Sequence, residues 1–124
     1  MMRYLLIFLF TLLACTKENA PETGVTGKWE LTEHYSDIGN GTGSWFPVAP
    51  ADRTIIVFNA NGVLEAASYA PLAAFKRYEV INSSTIKIYT ASGDSREVNY
   101  SLDTGLTLTY TCRETCRDRF RRIN

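Results

Sequence analysis

Cys112 and Cys116, spaced by three residues, and the lone histidine His34 are the side chains of this 124-residue chain best suited to chemistry. A structural zinc ion wants four ligands, and His34 lies far from the cysteine pair in sequence, so no metal site is expected. A redox pair is more typically C-x-x-C beside a βαβ pattern, and neither is present. His34 has no serine or cysteine nucleophile in a recognisable frame, and on a strand it is expected to face solvent or to satisfy a backbone group. Asp94, Glu97 and Asp103 read as turn and surface acids. No glycine-rich phosphate loop occurs, so no enzyme activity and no cofactor are expected.

The N-terminus carries a different kind of signal. Met1, Met2 and Arg3 precede an uncharged apolar run over residues 4–14 that ends at Cys15. A basic start followed by a short apolar segment has the form of an export signal, and it falls short of the about 20 residues needed to span a bilayer. Leu12-Leu13-Ala14-Cys15 resembles the lipobox of bacterial lipoproteins. That resemblance implies acylation of Cys15, for instance with palmitate, and removal of residues 1–14. Two or more acyl chains make a lasting anchor, whereas one holds only marginally. Thr16 is not the aspartate that commonly retains such proteins in the inner membrane, which favours the outer membrane and leaves the leaflet open. The implied partner of Cys15 is therefore the membrane.

Thirteen basic residues balance thirteen acidic ones, and loss of Arg3 with the leader leaves one acid in excess. Such a balance excludes a general nucleic-acid binder. Arg113, Arg117, Arg119, Arg121 and Arg122 nevertheless crowd the C-terminus, either as a solvated edge with local ion pairs or as a docking patch for an anionic partner. In an exported domain Cys112 and Cys116 are expected to form a disulfide, worth roughly 2 kcal/mol across so short a loop.

Residues 15–25 read as the lipidated cysteine and a polar tether interrupted by Pro21 and Gly24. Residues 26–124 form the domain. Short runs of alternating apolar and polar residues, rich in β-branched and aromatic types, predict eight strands: 28–35, 54–58, 63–68, 75–81, 85–90, 96–102, 106–111 and 117–123. Asn59-Ala60-Asn61-Gly62, Asn82-Ser83, Ser92-Gly93-Asp94 and Asp103-Thr104-Gly105 supply hairpin turns between them. Consecutive hairpins with one wet and one dry face predict an all-β fold, a small antiparallel up-and-down β-barrel that buries its dry side by closing. A two-sheet sandwich is the alternative. Trp29, Tyr78, Tyr100, Tyr110 and Phe120 are expected to point inward and to fill most of the interior.

Gly27-Lys28-Trp29 at the start of the first strand, with Phe120-Arg121-Arg122-Ile123 ending the last, resembles the lipocalin and lipocalin-like pattern. The short hairpin Phe58 to Gly62 and the closing run Cys112 to Phe120 are similar to those of small lipocalin-like bacterial lipoproteins. The resemblance implies that Gly27 and Trp29 close one end of the barrel, with Arg121 or Arg122 packed across the indole. It also implies a binding protein. The chain is shorter than ordinary lipocalins and lacks their C-terminal helix.

The long connection from Ser36 to Pro50 has no predicted element and presents Trp45 and Phe46, which are expected to fold over the barrel mouth or to meet a partner. Tyr35, Trp45, Phe46, Tyr69 and Tyr78 are thus the candidate contacts for a small apolar ligand at the mouth. The alternative is an interaction or inhibitor protein of the cell envelope that uses the 36–50 connection and the arginine-rich last strand. A monomer is expected in either case.

Overall fold

The computed structural model describes residues 24–37, 41–111 and 116–124. Nine strands follow in order: β1 (Gly27–Ser36), β2 (Ser44–Pro47), β3 (Ile55–Phe58), β4 (Leu64–Glu65), β5 (Phe75–Val80), β6 (Thr85–Thr90), β7 (Ser95–Ser101), β8 (Leu106–Tyr110) and β9 (Cys116–Ile123). Single 3-10 turns at Pro50–Asp52 and Ala70–Leu72 each carry a proline in the first turn, where its missing N–H costs nothing. The leader, Cys15, most of the tether and Cys112 lie outside the described residues.

Every neighbouring pair of strands is antiparallel, and the order β4-β3-β1-β9-β8-β7-β6-β5 makes a nearly closed eight-stranded barrel. The two ends of the meander meet because β9 returns beside β1, from Lys28 opposite Ile123 to Tyr35 opposite Arg117. The weak seam lies between β4 and β5. There one bridge joins Val63 to Arg77, and the Tyr78 amide donates to the Gly62 carbonyl at 3.0 Å.

Alternation sets the faces as the sequence reading expects. Ile86 and Ile88 of β6, Val98 of β7, Leu106 and Leu108 of β8 and Phe120 of β9 are all at most 1% exposed and point into the barrel. Trp29, Leu31, Ile56 and Phe58 meet them from the other wall. Each large side chain fully buried in this way contributes about 1.5–3 kcal/mol, and together they fill an interior that eight strands make only just wide enough for side chains. Tyr100 is buried with them, while Tyr78 and Tyr110 pack against the cluster half-buried.

Three features depart from the sequence reading. The strand expected over 63–68 is only Leu64–Glu65, because after Glu65 the chain leaves the wall and turns inward. Ala66, Tyr69 and Leu72 are buried in the core, and Tyr69 reaches across to rings on β8 and β9. This connection, residues 66–74, closes the end of the barrel that the 36–50 connection was expected to cover. The latter is no structureless loop: β2 pairs along the upper half of β1, Ser36 opposite Ser44 through Glu33 opposite Pro47. The third departure is a bulge at Thr32, where the register steps from Leu31 opposite Phe120 to Glu33 opposite Arg119. One extra residue inverts the alternation, so Glu33 and Tyr35 face outward and His34 faces the mouth.

Gly105 shows how tightly the β7–β8 turn meets β9. Its φ is +143°, and a Cβ there would collide with the Phe120 carbonyl oxygen. Gly105→Ala is expected to destabilise the protein by about 3 kcal/mol in urea denaturation, from backbone strain and forced separation of strands. A loss below about 0.5 kcal/mol, the range of ordinary surface changes, would refute this account of the turn.

Candidate functional site

The closed end is built on β1 and β9. Gly27, with φ +135°, begins β1 opposite Phe58 in a conformation that favours glycine. Two residues on, the Trp29 indole is 2% exposed and its Nε1–H donates to the Val25 carbonyl at 2.9 Å. Of the two candidate arginines, Arg122 lies over the indole, its guanidinium carbon 4.3 Å from the ring centroid. The same guanidinium donates to the Thr26 and Gly24 carbonyls, both at 2.7 Å, which ties the incoming chain to the plug. Arg121 turns the other way and pairs with Glu30 at 2.7 Å.

Along the outer wall, β2 and the bulge bring together a second group. Tyr35 and Trp45 meet edge to face at 5.4 Å. Arg117 lies 5.1 Å above the Tyr35 ring, and Arg119 lies 3.9 Å above that of Trp45 while pairing with Glu33 at 3.2 Å. These cation–π contacts hold the aromatic rings against the wall, at about 0.5–1 kcal/mol each where exposed. Phe46, opposite His34, projects from the other face of β2 and is 54% exposed. Trp45 is thus part of the barrel's outside and no lid. Tyr78 is placed elsewhere, at the β4–β5 seam, with its ring against Phe58 and its hydroxyl donating to the Asn59 carbonyl at 2.6 Å. A cleft of about 370 Å³ between Asn61, Arg77, Glu79 and Tyr89 opens beside it.

The third group sits at the mouth. His34 Nδ1 lies 2.6 Å from Asp118 Oδ1, and the Tyr69 hydroxyl donates to the other carboxylate oxygen. Tyr69 rests edge-on against Phe120 at 5.3 Å and beside Tyr110 at 6.4 Å. The Tyr110 hydroxyl is fully buried and has no hydrogen-bond partner among the described residues. Burial, foremost, pushes both phenols above their ordinary range, and for Tyr69 the proximity of Tyr110 and the bond to Asp118 add to it. A carboxylate that orients an imidazole supplies two of the three members of a hydrolytic triad, but the third group hydrogen-bonded to them here is a buried phenol.

The sequence reading had His34 facing solvent or satisfying a backbone group; its side chain is 52% exposed, and what that reading missed is the pairing with Asp118. Strict alternation from Trp29 and Leu31 carries Glu33 and Tyr35 inward, and only the bulge reverses it. One signal was present: Asp118 is two residues from Phe120 on β9 and so shares its inward face. Cys116, opposite Tyr110, also lies on that face.

The mouth predicts an alkaline instability. Because the folded protein keeps phenolic protons that the unfolded chain releases above about pH 10, stability is full below that pH and declines above it, by about 1.4 kcal/mol per pH unit for each buried tyrosine. Urea denaturation between about pH 9 and pH 11 should show this decline, and Tyr110→Phe should make it shallower. An identical slope in the variant would contradict the prediction. No protein-family model, no curated protein and no solved structure matches the chain, so the wall and the mouth are read from their own geometry.

Proposed function

We propose that this chain is a lipid-anchored interaction module of the bacterial cell envelope, a lipocalin-like barrel that meets an envelope protein with its outer wall. The observation that carries this reading is the aromatic and cationic platform of Tyr35, Trp45, Arg117 and Arg119, built by β2 on the outside of β1 and β9. Rigid aromatics flanked by arginine are the groups most enriched where proteins bind one another. They lose little rotamer freedom on docking, since the stacked guanidiniums already hold two of the rings. Arg119 and Arg121 are partnered by Glu33 and Glu30, so the last strand presents local ion pairs more than a uniform basic face.

The packed interior favours this reading over capture of a small apolar ligand at the mouth. Tyr69 and Leu72 occupy the space that such a ligand would need, and entry would require residues 66–74 to move. In the same reading Cys15 carries the lipid, the tether is residues 16–23 because Gly24 and the buried Val25 are held against the barrel, a Cys112–Cys116 bridge staples the β8–β9 turn, and the barrel works as a monomer at the outer membrane. No helix among the described residues is long and apolar enough to cross a membrane.

Two measurements test the proposal. Affinity capture from solubilised envelopes should recover a partner with the wild-type chain and lose it with Trp45→Ala and with Arg119→Glu, while Lys87→Glu on the far wall keeps it. Recovery unchanged in both wall variants, or saturable binding of a fluorescent fatty acid that those variants do not affect, would overturn it. Cys15→Ser is expected to move the protein from the membrane to the soluble fraction in fractionated cells. Retention at the membrane would remove the anchor.

A further inference from the structure

We propose that His34, Tyr69, Tyr110 and Asp118 form a binding site for a hard trivalent cation, ferric iron being the commonest of that class. These four side chains come from four separate places, β1, the 66–74 connection, β8 and β9, and converge at the mouth of the barrel. His34 and Tyr69 already hold opposite oxygens of the Asp118 carboxylate. The Tyr110 hydroxyl is buried without a partner beside Tyr69, an arrangement that costs about 1–3 kcal/mol when nothing uses the group. A bound cation would use it.

Donor chemistry selects the class of ion. Two phenolates and a carboxylate are hard, anionic oxygen ligands, and one imidazole nitrogen is compatible with iron. Charge selects the valence. Two phenolates and one carboxylate carry three negative charges, which a trivalent cation neutralises, whereas a divalent ion would leave a net charge buried or one phenol protonated. Binding displaces one proton from each phenol to solvent, and the imidazole proton shifts from Nδ1 to the other ring nitrogen so that Nδ1 can donate its electron pair. No electrons are transferred. With no ion bound, burial keeps both phenols neutral and the carboxylate is balanced by its two hydrogen bonds, so the same four groups close the mouth. Because the ion's own charge is the largest in such a site, it reverses the preference for the neutral phenol.

Access and stiffness also fit. The His34 side chain is 52% exposed, so one rim of the site is open to solvent, where water or a chelating anion would complete an octahedral shell. Tyr110 and Asp118 sit on paired strands, and the Arg96 guanidinium, 5.9 Å from the Tyr110 ring, favours a phenolate there.

The full chain, purified in detergent without added metal, is titrated with ferric nitrilotriacetate and followed in the visible. A phenolate-to-iron charge-transfer band that saturates at a single ion per chain is expected. Tyr69→Phe and Tyr110→Phe should each lower its intensity, Asp118→Asn should weaken binding by about tenfold or more, and Tyr100→Phe, whose hydroxyl bonds to Asn82 at the opposite end, should change nothing. Resonance Raman on the wild-type band should show tyrosinate ring modes, which keeps the test decisive if a variant fails to fold. No band at saturating iron, a band of equal intensity in both phenylalanine variants, absence of tyrosinate modes, or tighter binding of zinc than of ferric iron would each overturn the proposal.

Discussion

The backbone ladder between β1 and β9 joins the two chain-distant edges of the meander, and the register of that ladder decides what each end of the barrel contains. Leu31 opposite Phe120 places two core side chains back to back. Below them Trp29 opposite Arg122 sets the indole under the guanidinium, and above them His34 opposite Asp118 sets the imidazole beside the carboxylate. A slip of one residue would carry each of these pairs to the wrong face. The ladder also pairs residues far apart in sequence, so closing it adds a loop-closure entropy to the ordering cost that the core must offset.

Among the described residues buried side chains occupy the apolar interior, and the 66–74 connection adds Tyr69 and Leu72 to them from within the chain. The polar contact between Tyr69 and Asp118 fixes that connection to the far wall, and buried as it is, it tolerates little misalignment. The outer platform has the opposite character. Its rings are held at the surface by Arg117 and Arg119, so it can be exposed without reorganising.

Strands β6, β7 and β8 were legible because each is wetted on one side only, which imposes the period of two on their side chains. The β3–β4, β6–β7 and β7–β8 turns were legible because Asn61-Gly62, Gly93-Asp94 and Thr104-Gly105 supply left-handed backbone at the positions a hairpin needs. Strand β2 left no such trace: Ser44-Trp45-Phe46-Pro47 is four residues long, sits in a glycine-rich stretch, and is a strand only because the upper half of β1 offers an unpaired edge. The inward turn after Glu65 was equally hidden. Ala66, Tyr69 and Leu72 are spaced by three, which matches neither a strand nor a helix long enough to recognise, and only the cavity they fill explains their burial.

From the sequence alone came the all-β class, the meander and the dry faces, which depend on local periodicity, while the tryptophan–arginine contact at the closed end was expected from the resemblance of its motifs to the lipocalin pattern. Tertiary structure decided the rest. Whether Arg121 or Arg122 reaches the indole, whether Glu33 or His34 faces the mouth, and which connection covers it depend on a single bulge and on how two distant edges pair. Those are consequences of closing a ring, and no local stretch of chain contains the information to close it.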